Sequence, residues 1–531
     1  MKTMLQARTA PDRPAAVTPA VSGRLEARLA AGSFASFVSL LVGIGTAIVQ
    51  VPLLLDAWGE ETYGAWLLVT ATYSLIIALD LGHQNYVANK ISMLGVHDVV
   101  ACKPVLGSAV KAACIIGIAE VALAVAAVAS GLFAVWLPGE ESSRLSLRAQ
   151  AGVSLIVQTV FFALAGSIGG ILVRLYVAGG LYARSQWLGI AQRLAMFMAL
   201  VGAAAAGSSM AIATFAYVCA GSLVCVFTFV DLRRQFPAYW PWWAAGSLKM
   251  GLRQAALSLG LTATAVSDQC AAAGLLGISG SRVHAAGVAT LGTLRTLANS
   301  ILQAAGVLVL PVLPDLSRFA ASAEHEKATA TLSVLWVIST SPLCLAVTLF
   351  GPLAGALFNW WTRGTLRFSV VLFALLAVAA LVRQWQSPMA LFLFSANRVR
   401  AQVVISFLRT GVLMITLAIG FFLFTDITVA GVAIVLSELV AAAATAALTS
   451  RFLVEMQGQF PLRAAVLAAL QVAISVCGGL FWISVQQPRE DVIAACIGAH
   501  VALLVLQWRN LSNEVKQRVT NILGPRFGFS R

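Results

Sequence analysis

The sequence predicts an all-α integral membrane protein with about fourteen transmembrane helices. Of its 531 residues, 60% are hydrophobic and only 11% are charged, whereas soluble proteins carry roughly a quarter charged residues. The apolar residues form long continuous runs, unlike the short alternating strands of a β-barrel. Because backbone polar groups must be paired internally in hydrocarbon, these runs predict helices.

The charges of the loops orient the helices. Each apolar segment can cross about 30 Å of hydrocarbon. With the N-terminus on the cytoplasmic side, alternate loops give about 23 Lys and Arg on that side and about 6 on the other. We therefore expect a multi-pass inner-membrane protein with both termini cytoplasmic. The segments lie near residues 34–55, 62–81, 105–129, 150–178, 184–206, 209–230, 253–277, 283–312, 329–357, 366–394, 399–424, 428–450, 461–485 and 491–508.

These segments divide the chain into two lobes, a linker between them, two further helices and two terminal tails. A short repeat supports the division, because Gly59–Gly64 and Gly280–Ala285 share a Gly-x-x-x-(Tyr/His)-small pattern after the first and seventh segments. The expected regions are a disordered cytoplasmic tail at 1–33, a first six-helix lobe at 34–230, a basic cytoplasmic linker at 231–252, a second six-helix lobe at 253–450, two further helices at 451–508 and a cytoplasmic tail at 509–531.

Charge, cysteines and loop lengths exclude several classes of function. The net charge of +14 does not indicate nucleic-acid binding, because the basic residues lie in short loops and at the two ends. Seven of the eight cysteines lie in apolar runs, without a C-x-x-C pair. We therefore expect neither a disulfide framework nor a metal site. The longest loops, of about twenty residues, are too short to bury a core.

Charged side chains inside the apolar runs are the candidate functional groups. An ionised group at the bilayer centre is costly without a partner or a water-filled cavity. Arg295, Asn299 and Gln303 follow one another at four-residue intervals and form one polar stripe on a helix. Arg383 and Arg409 are deep cations in later helices. The deep acids are Asp268, Glu438 and Glu120.

Two interpretations of these groups remain open. One is ion pairing between helices, for example Asp268 with Arg295, which only holds the bundle together. The other is a cationic cavity for an anionic substrate, since a guanidinium binds phosphate bidentately and keeps its charge. Arg174 and Lys111 lie nearer the cytoplasmic helix ends and can extend toward the headgroups. Gln50 adds a polar group to the first helix.

Three motifs carry a resemblance to a known family. Residues 51–66, VPLLLDAWGEETYGAW, resemble the first outside loop of bacterial polysaccharide flippases. Residues 79–83, LDLGH, are similar to that family's motif at the inner end of the second helix, and residues 311–318 to its proline-then-serine ending of the eighth. Asp268 also matches, whereas the long N-terminal tail and the stretch 83–85 depart from the pattern. The motif residues are Pro52, Gly59, Tyr63 and Asp80.

These flippases belong to the multidrug/oligosaccharidyl-lipid/polysaccharide exporter superfamily. The resemblance implies two lobes around a V-shaped cavity and alternating access. It also implies transport of undecaprenyl-pyrophosphate-linked oligosaccharide repeat units to the periplasmic leaflet, for O-antigen or exopolysaccharide synthesis. A polysaccharide polymerase and a chain-length regulator are the expected partners. No catalytic residue or cofactor is expected, and a proton or sodium ion is expected to couple transport.

The expected site follows from combining the deep residues with this cargo. Pyrophosphate is expected to bind the deep arginines, helped by Arg174 or Lys111. Asn299, Gln303 and Gln50 are expected to line the cavity with polar groups. The expected phosphate ligands are Arg295, Arg383 and Arg409, and the coupling-ion candidates are Asp268, Glu438 and Glu120.

Three alternatives stay open at this stage. A cation-coupled multidrug antiporter of the same superfamily would prefer an acidic or aromatic cavity, which the deep arginines disfavour. A lipid II flippase shares the lobes and arginines but differs in the first-loop signature. A membrane glycosyltransferase or polymerase would need paired acids, yet Glu60 and Glu61 are adjacent in a loop, so their side chains diverge.

Overall fold

The described part of the chain is helical. The computed structural model describes residues 19–137, 141–309, 324–396, 398–485 and 490–511, with Leu316, Phe319 and Lys516. The α-helices are Pro19–Leu94 (α1), Val99–Ala129 (α2), Leu132–Trp136 (α3), Glu141–Phe161 (α4), Ile168–Ala178 (α5), Tyr182–Ala205 (α6), Met210–Gln235 (α7), Leu248–Leu257 (α8), Leu259–Val309 (α9), His325–Phe350 (α10), Ala354–Trp361 (α11), Val370–Ser395 (α12), Val399–Leu423 (α13), Thr428–Glu455 (α14), Leu462–Val485 (α15) and Glu490–Asn510 (α16).

The predicted helix count and fold class are confirmed. Eleven helices of the described ranges are long and apolar enough to cross a membrane. Two of them, α1 and α9, each contain two spans, because the helix is interrupted at Gly59 and at His284. The apolar helix α15 supplies the remaining span. The protein is therefore an all-α, multi-pass membrane protein with fourteen spans.

The first helix begins earlier than the sequence predicts. It starts at Pro19, inside the region 1–33 that we expected to be a disordered tail. The stretch 24–31 is rich in Ala, Leu, Arg and Glu, which are strong helix formers, so it continues the first span as a helix. Residues 1–18 and most of the C-terminal tail lie outside the described residues.

Three hydrophobic cores show how the lobes meet. We call the side of the linker 231–252 the inner side and the opposite side the outer side. The largest core combines first-lobe residues between Val51 and Ala213 with second-lobe residues between Ala273 and Ala433, in the outer halves of their helices. Two smaller cores fill the inner halves, one drawn from the first lobe and the linker and the other from the second lobe and the start of the region 451–508. The lobes thus share one core on the outer side, whereas on the inner side they pack around different cores and touch where a Cβ on Gly82 would lie 2.1 Å from Oγ1 of Thr262.

Close contacts seal the outer side. A Cβ added to Gly64 would lie 2.1 Å from the carbonyl oxygen of Ala285, so only glycine allows these two helices to touch. The indole of Trp136 covers Gly277, where a Cβ would lie 2.4 Å from the ring. The indole of Trp361, which also lies on the outer side, donates a 2.7 Å hydrogen bond to a backbone carbonyl of α1.

The last two helices pack against the second lobe through buried polar groups. The hydroxyl of Ser341 on α10 lies 2.7 Å from the side-chain oxygen of Gln471 and 3.0 Å from that of Gln507. A second contact joins Thr348 to His500 at 3.0 Å. Because these bonds are buried in hydrocarbon, they fix the register of α15 and α16 on α10.

Candidate functional site

A cluster of charged side chains lies inside the second lobe. Arg409 on α13 is held by Asp268 on α9, with Nη2 2.5 Å from Oδ1. Its other terminal nitrogen lies 3.8 Å from Glu438 on α14. The Glu438 carboxylate also accepts a 2.7 Å hydrogen bond from Gln386 and lies 3.8 Å from Arg383. Glu438 is therefore the centre of the cluster, with a side chain that is only 6% exposed.

Arg295 completes the cluster. It lies on the second span of α9, close enough to Arg383 and Glu438 for direct electrostatic interaction. Arg295 makes no ion pair with any residue that the structure describes. Three arginines therefore face two carboxylates, which leaves an excess positive charge. The Arg383 side chain is 51% exposed, so its guanidinium is accessible to a ligand.

The observed ion pair of Asp268 differs from the pair with Arg295 that the sequence suggested as an example. Asp268 binds Arg409 and not Arg295. Arg409 is consequently tied to two acids and only 15% exposed, whereas Arg295 and Arg383 retain free donors. Asn299 follows Arg295 by one turn and is partly buried, as is Gln50 in the other lobe. The side chain of Gln303 and the residues 311–315 lie outside the described part of the chain.

The predicted cations of the first lobe have separate surroundings. Arg174 donates from Nη2 to the side-chain oxygen of Asn85, at 3.2 Å. Lys111 donates to the carbonyl of Gly246 in the linker at 2.9 Å, so its charge caps backbone there. An unpredicted cation is Arg193 on α6, which donates to a backbone carbonyl of α1 at 2.7 Å. Its position within an apolar helix is the sequence signal that could have identified it.

A second buried polar group fills the centre of the first lobe. Asp80 is fully buried and accepts a 2.6 Å hydrogen bond from Gln84. The same amide nitrogen lies 3.5 Å from the carbonyl of Gly166, in the π-helical turn Phe162–Ser167 between α4 and α5. Such turns free backbone carbonyls and often mark functional sites. Glu120 is also fully buried, and neither carboxyl oxygen has a partner among the described residues.

The remaining motif residues lie on the first kinked helix. Tyr63 is buried in the outer core that both lobes share. Pro52 is accommodated within α1, and Gly59 lies at its interruption. These residues shape the contact between the lobes, away from the charged cluster.

Comparison with known proteins identifies the fold. No family model and no curated protein matches the sequence. Among solved structures, an inward-facing multidrug resistance MATE family transporter of the MOP superfamily matches with a TM-score of 0.57 and 14% identity, over 79% of this chain and 95% of that chain. The lipid II flippase MurJ in an inward closed conformation matches with a TM-score of 0.61 and 10% identity, over 90% of this chain and 97% of that chain.

A third match is the outward-facing conformation of a MATE family transporter. Its TM-score is 0.54 at 14% identity, over 80% of this chain and 96% of that chain. Identities this low define the fold alone. The chain thus has the fold of membrane transporters and flippases of this superfamily.

Proposed function

We propose that the protein flips undecaprenyl-pyrophosphate-linked oligosaccharide repeat units from the inner to the outer leaflet. The observation that carries this proposal is the excess positive charge at Arg295 and Arg383. A transporter of cationic drugs would gain nothing from these guanidinium groups, whereas a pyrophosphate requires them.

The three arginines of the cluster are proposed to have different roles. Arg409 is fixed by Asp268 and holds Glu438 in position. Arg383 has only a 3.8 Å contact to Glu438, which a pyrophosphate with two negative charges can replace. Arg295 then binds the second phosphate group. Because the guanidinium is planar and permanently charged, each arginine can bind two phosphate oxygens at once.

The proposed route runs between the two lobes. Their inner halves pack around different hydrophobic cores, so we expect a lipid-linked substrate to enter between them from the inner leaflet when the lobes part. The pyrophosphate and sugars occupy the polar interior while the prenyl chain remains in lipid, where its burial is favourable. Rocking of the lobes about their outer contact then opens the opposite side. Release into the outer leaflet completes one cycle.

Proton binding in the first lobe is proposed to drive the cycle. Glu120 is fully buried without a hydrogen-bond partner among the described residues. A charged carboxylate is strongly disfavoured there, whereas a protonated carboxyl group is tolerated. Reprotonation of Glu120 when the cavity opens to the other side would bias the lobes toward one conformation.

The test replaces the two available arginines. We expect the R295Q/R383Q variant to bind undecaprenyl pyrophosphate about tenfold or more weakly, in purified protein, than the wild type. In cells it should accumulate inner-leaflet lipid-linked oligosaccharide and lose surface polysaccharide at unchanged protein level. The matched control is R451Q/R463Q, which removes two exposed inner-side cations. Normal binding by R295Q/R383Q would refute the proposal, and export of cationic dyes by that variant would favour a multidrug antiporter.

A lipid II flippase is the second candidate. The match to MurJ has a TM-score of 0.61 and covers 90% of the chain, against 0.57 and 79% for the inward-facing MATE transporter. Lipid II also presents a pyrophosphate, so the arginine variants do not separate the two cargoes. Depletion of the protein does: lysis would support lipid II transport, and loss of surface polysaccharide in intact cells would support the repeat-unit flippase.

A further inference from the structure

The segment between the lobes is attached to the first lobe. We call residues 236–257 the interlobe segment; it contains the short 3₁₀ turn Pro237–Tyr239 and the helix α8. Lys103 on α2 donates from Nζ to the carbonyls of Ala238 and Trp240, at 2.9 and 3.1 Å. Lys111 donates in the same way to the carbonyl of Gly246. Two lysines of α2 thus bind carbonyls along the first half of the interlobe segment.

Close packing reinforces this attachment. A Cβ on Gly107 would lie 2.0 Å from the carbonyl oxygen of Ala245, and one on Gly251 would lie 2.1 Å from that of Ser108. The buried hydroxyl of Tyr239 donates to a backbone carbonyl at 2.7 Å, and burial raises the pKa of this phenol, so it stays a donor. The interlobe segment is therefore fixed to the first lobe, and it ends where α8 meets α9 after Leu257.

The face of α8 that points away from the protein has two parallel stripes. Gly251 and Gln254 form the buried face against α2. Leu248 and Leu252, one turn apart, are 40% and 46% exposed. Beside them, Lys249 and Arg253 form an exposed basic stripe with the same four-residue spacing. Adjacent apolar and basic stripes are typical of a helix that lies in the plane of a membrane surface.

An aromatic group extends this surface. The rings of Trp240 and Trp243 meet edge-on at 5.1 Å, and Arg233 lies 4.7 Å above the ring of Trp240. Trp243 is 51% exposed, and Arg234 is also exposed. Tryptophan is enriched where membrane and water meet, because its ring is apolar and its N–H is polar.

No acidic residue offsets these cations. The sequence has none between Asp231 and Asp268. Asp231 itself is occupied, since it binds Arg184 with an Nη2 to Oδ1 distance of 2.5 Å. Within the described ranges, the exposed cations of the segment make no ion pair. The surface therefore has a net positive charge that no described acid neutralises by an ion pair.

We propose that this surface binds anionic phospholipid headgroups of the inner leaflet. It joins the inner ends of two membrane spans, so it lies at the depth of the headgroups. Leu248, Leu252 and Trp243 contact the acyl boundary, while the basic stripe and Arg234 bind lipid phosphates. Since the segment is fixed to the first lobe, the bound lipids anchor that lobe while the second lobe moves.

Native mass spectrometry of the full-length protein in detergent tests this proposal. Dioleoyl-phosphatidylglycerol and dioleoyl-phosphatidylcholine are titrated separately, and the apparent affinity of the retained lipids is measured. The test variant is R234Q/K249Q/R253Q, which leaves the packed Arg233 in place. The matched control is R400Q/R451Q/R463Q, which removes three exposed inner-side cations from the second lobe and the region 451–508 that follows it.

We expect the test variant to bind phosphatidylglycerol about tenfold or more weakly, with phosphatidylcholine unchanged and the control close to wild type. An equal loss in both triple variants would overturn the proposal, because net charge alone would then explain binding. Unchanged affinity in the test variant would overturn it as well. The substitutions are at exposed positions, and unchanged thermal stability of each variant shows that folding is not the cause.

Discussion

His284 has the backbone conformation of Gly59. The dihedral angles are φ 61°, ψ 174° at His284 and φ 73°, ψ 175° at Gly59. Each residue interrupts a helix after the first span of its lobe. The structural repeat therefore pairs Gly59 with His284, four residues away from the Gly280 that the sequence pattern suggested.

This conformation predicts stored strain at His284. The region is accessible essentially only to glycine, and another residue there costs about 1–3 kcal/mol. We expect H284G to unfold at a higher temperature than the wild type, and G59A to unfold at a lower one. Size-exclusion chromatography of heated, detergent-purified protein measures both shifts.

Gly45 provides the matched control for Gly59. A Cβ at either position meets no atom within 4 Å, and only Gly59 has a positive φ. G45A should therefore keep or raise stability, as expected for alanine inside a helix. If G59A were as stable as G45A, the strain argument would fail.

Arg409 and Arg383 should respond differently to substitution. R409Q leaves Asp268 without its cation and removes one of the two arginines beside the buried Glu438, so we expect a loss of roughly 1–3 kcal/mol in stability. R383Q removes a half-exposed side chain at 3.8 Å from Glu438 and should cost less than about 1 kcal/mol. Thermal unfolding of both variants checks this difference. Equal destabilisation would mean that Arg383 is also structural and would weaken its assignment to substrate.

The sequence predicted the helices and the deep charged residues but not which of these residues pair. Apolar runs and loop charges determine spans because hydrocarbon excludes charge and unpaired backbone. The partner of Asp268 depends on how α9 and α13 rotate against each other, which no local pattern encodes. The same holds for Lys111, which we expected to help bind pyrophosphate and whose Nζ donates to the carbonyl of Gly246.

The sequence pattern also paired Gly59 with Gly280, whereas the residue in the matching conformation is His284. Gly280 was paired with Gly59 because both begin a Gly-x-x-x-(Tyr/His)-small pattern. The second lobe instead has His284 in the same conformation. A search for glycine alone could not find this position.

The outer seal contains an ion pair between the lobes. Asp56 at the outer end of the first span binds Arg363, which follows α11. Both side chains are partly exposed, so the pair contributes about 1 kcal/mol or less. We expect R363Q to shift the population toward the outward-open state by up to about fivefold. Labelling of a cysteine placed in the cavity with a membrane-impermeant reagent, added from outside, measures this shift.

Arg367 is the matched control for Arg363. It lies in the same outer loop, but forms no ion pair with a described residue. R367Q should leave labelling unchanged, and the charge-reversed pair D56R/R363D should restore the wild-type rate. Equal labelling of R363Q and R367Q would show that the ion pair does not hold the seal.

Glu120 is the residue on which proton coupling is predicted to depend. Its carboxyl group is fully buried, has no hydrogen-bond partner among the described residues and lies near Asp80. Glutamine has the same shape and stays neutral, so E120Q should fold with stability equal to or above that of the wild type. Because it cannot exchange a proton, its flipping rate in proteoliposomes should no longer respond to an imposed pH gradient. E455Q, at an exposed acid that pairs with Arg398, should retain the response. A full response in E120Q would move the coupling site to Asp268 or Glu438, which the second-lobe arginines already neutralise in part.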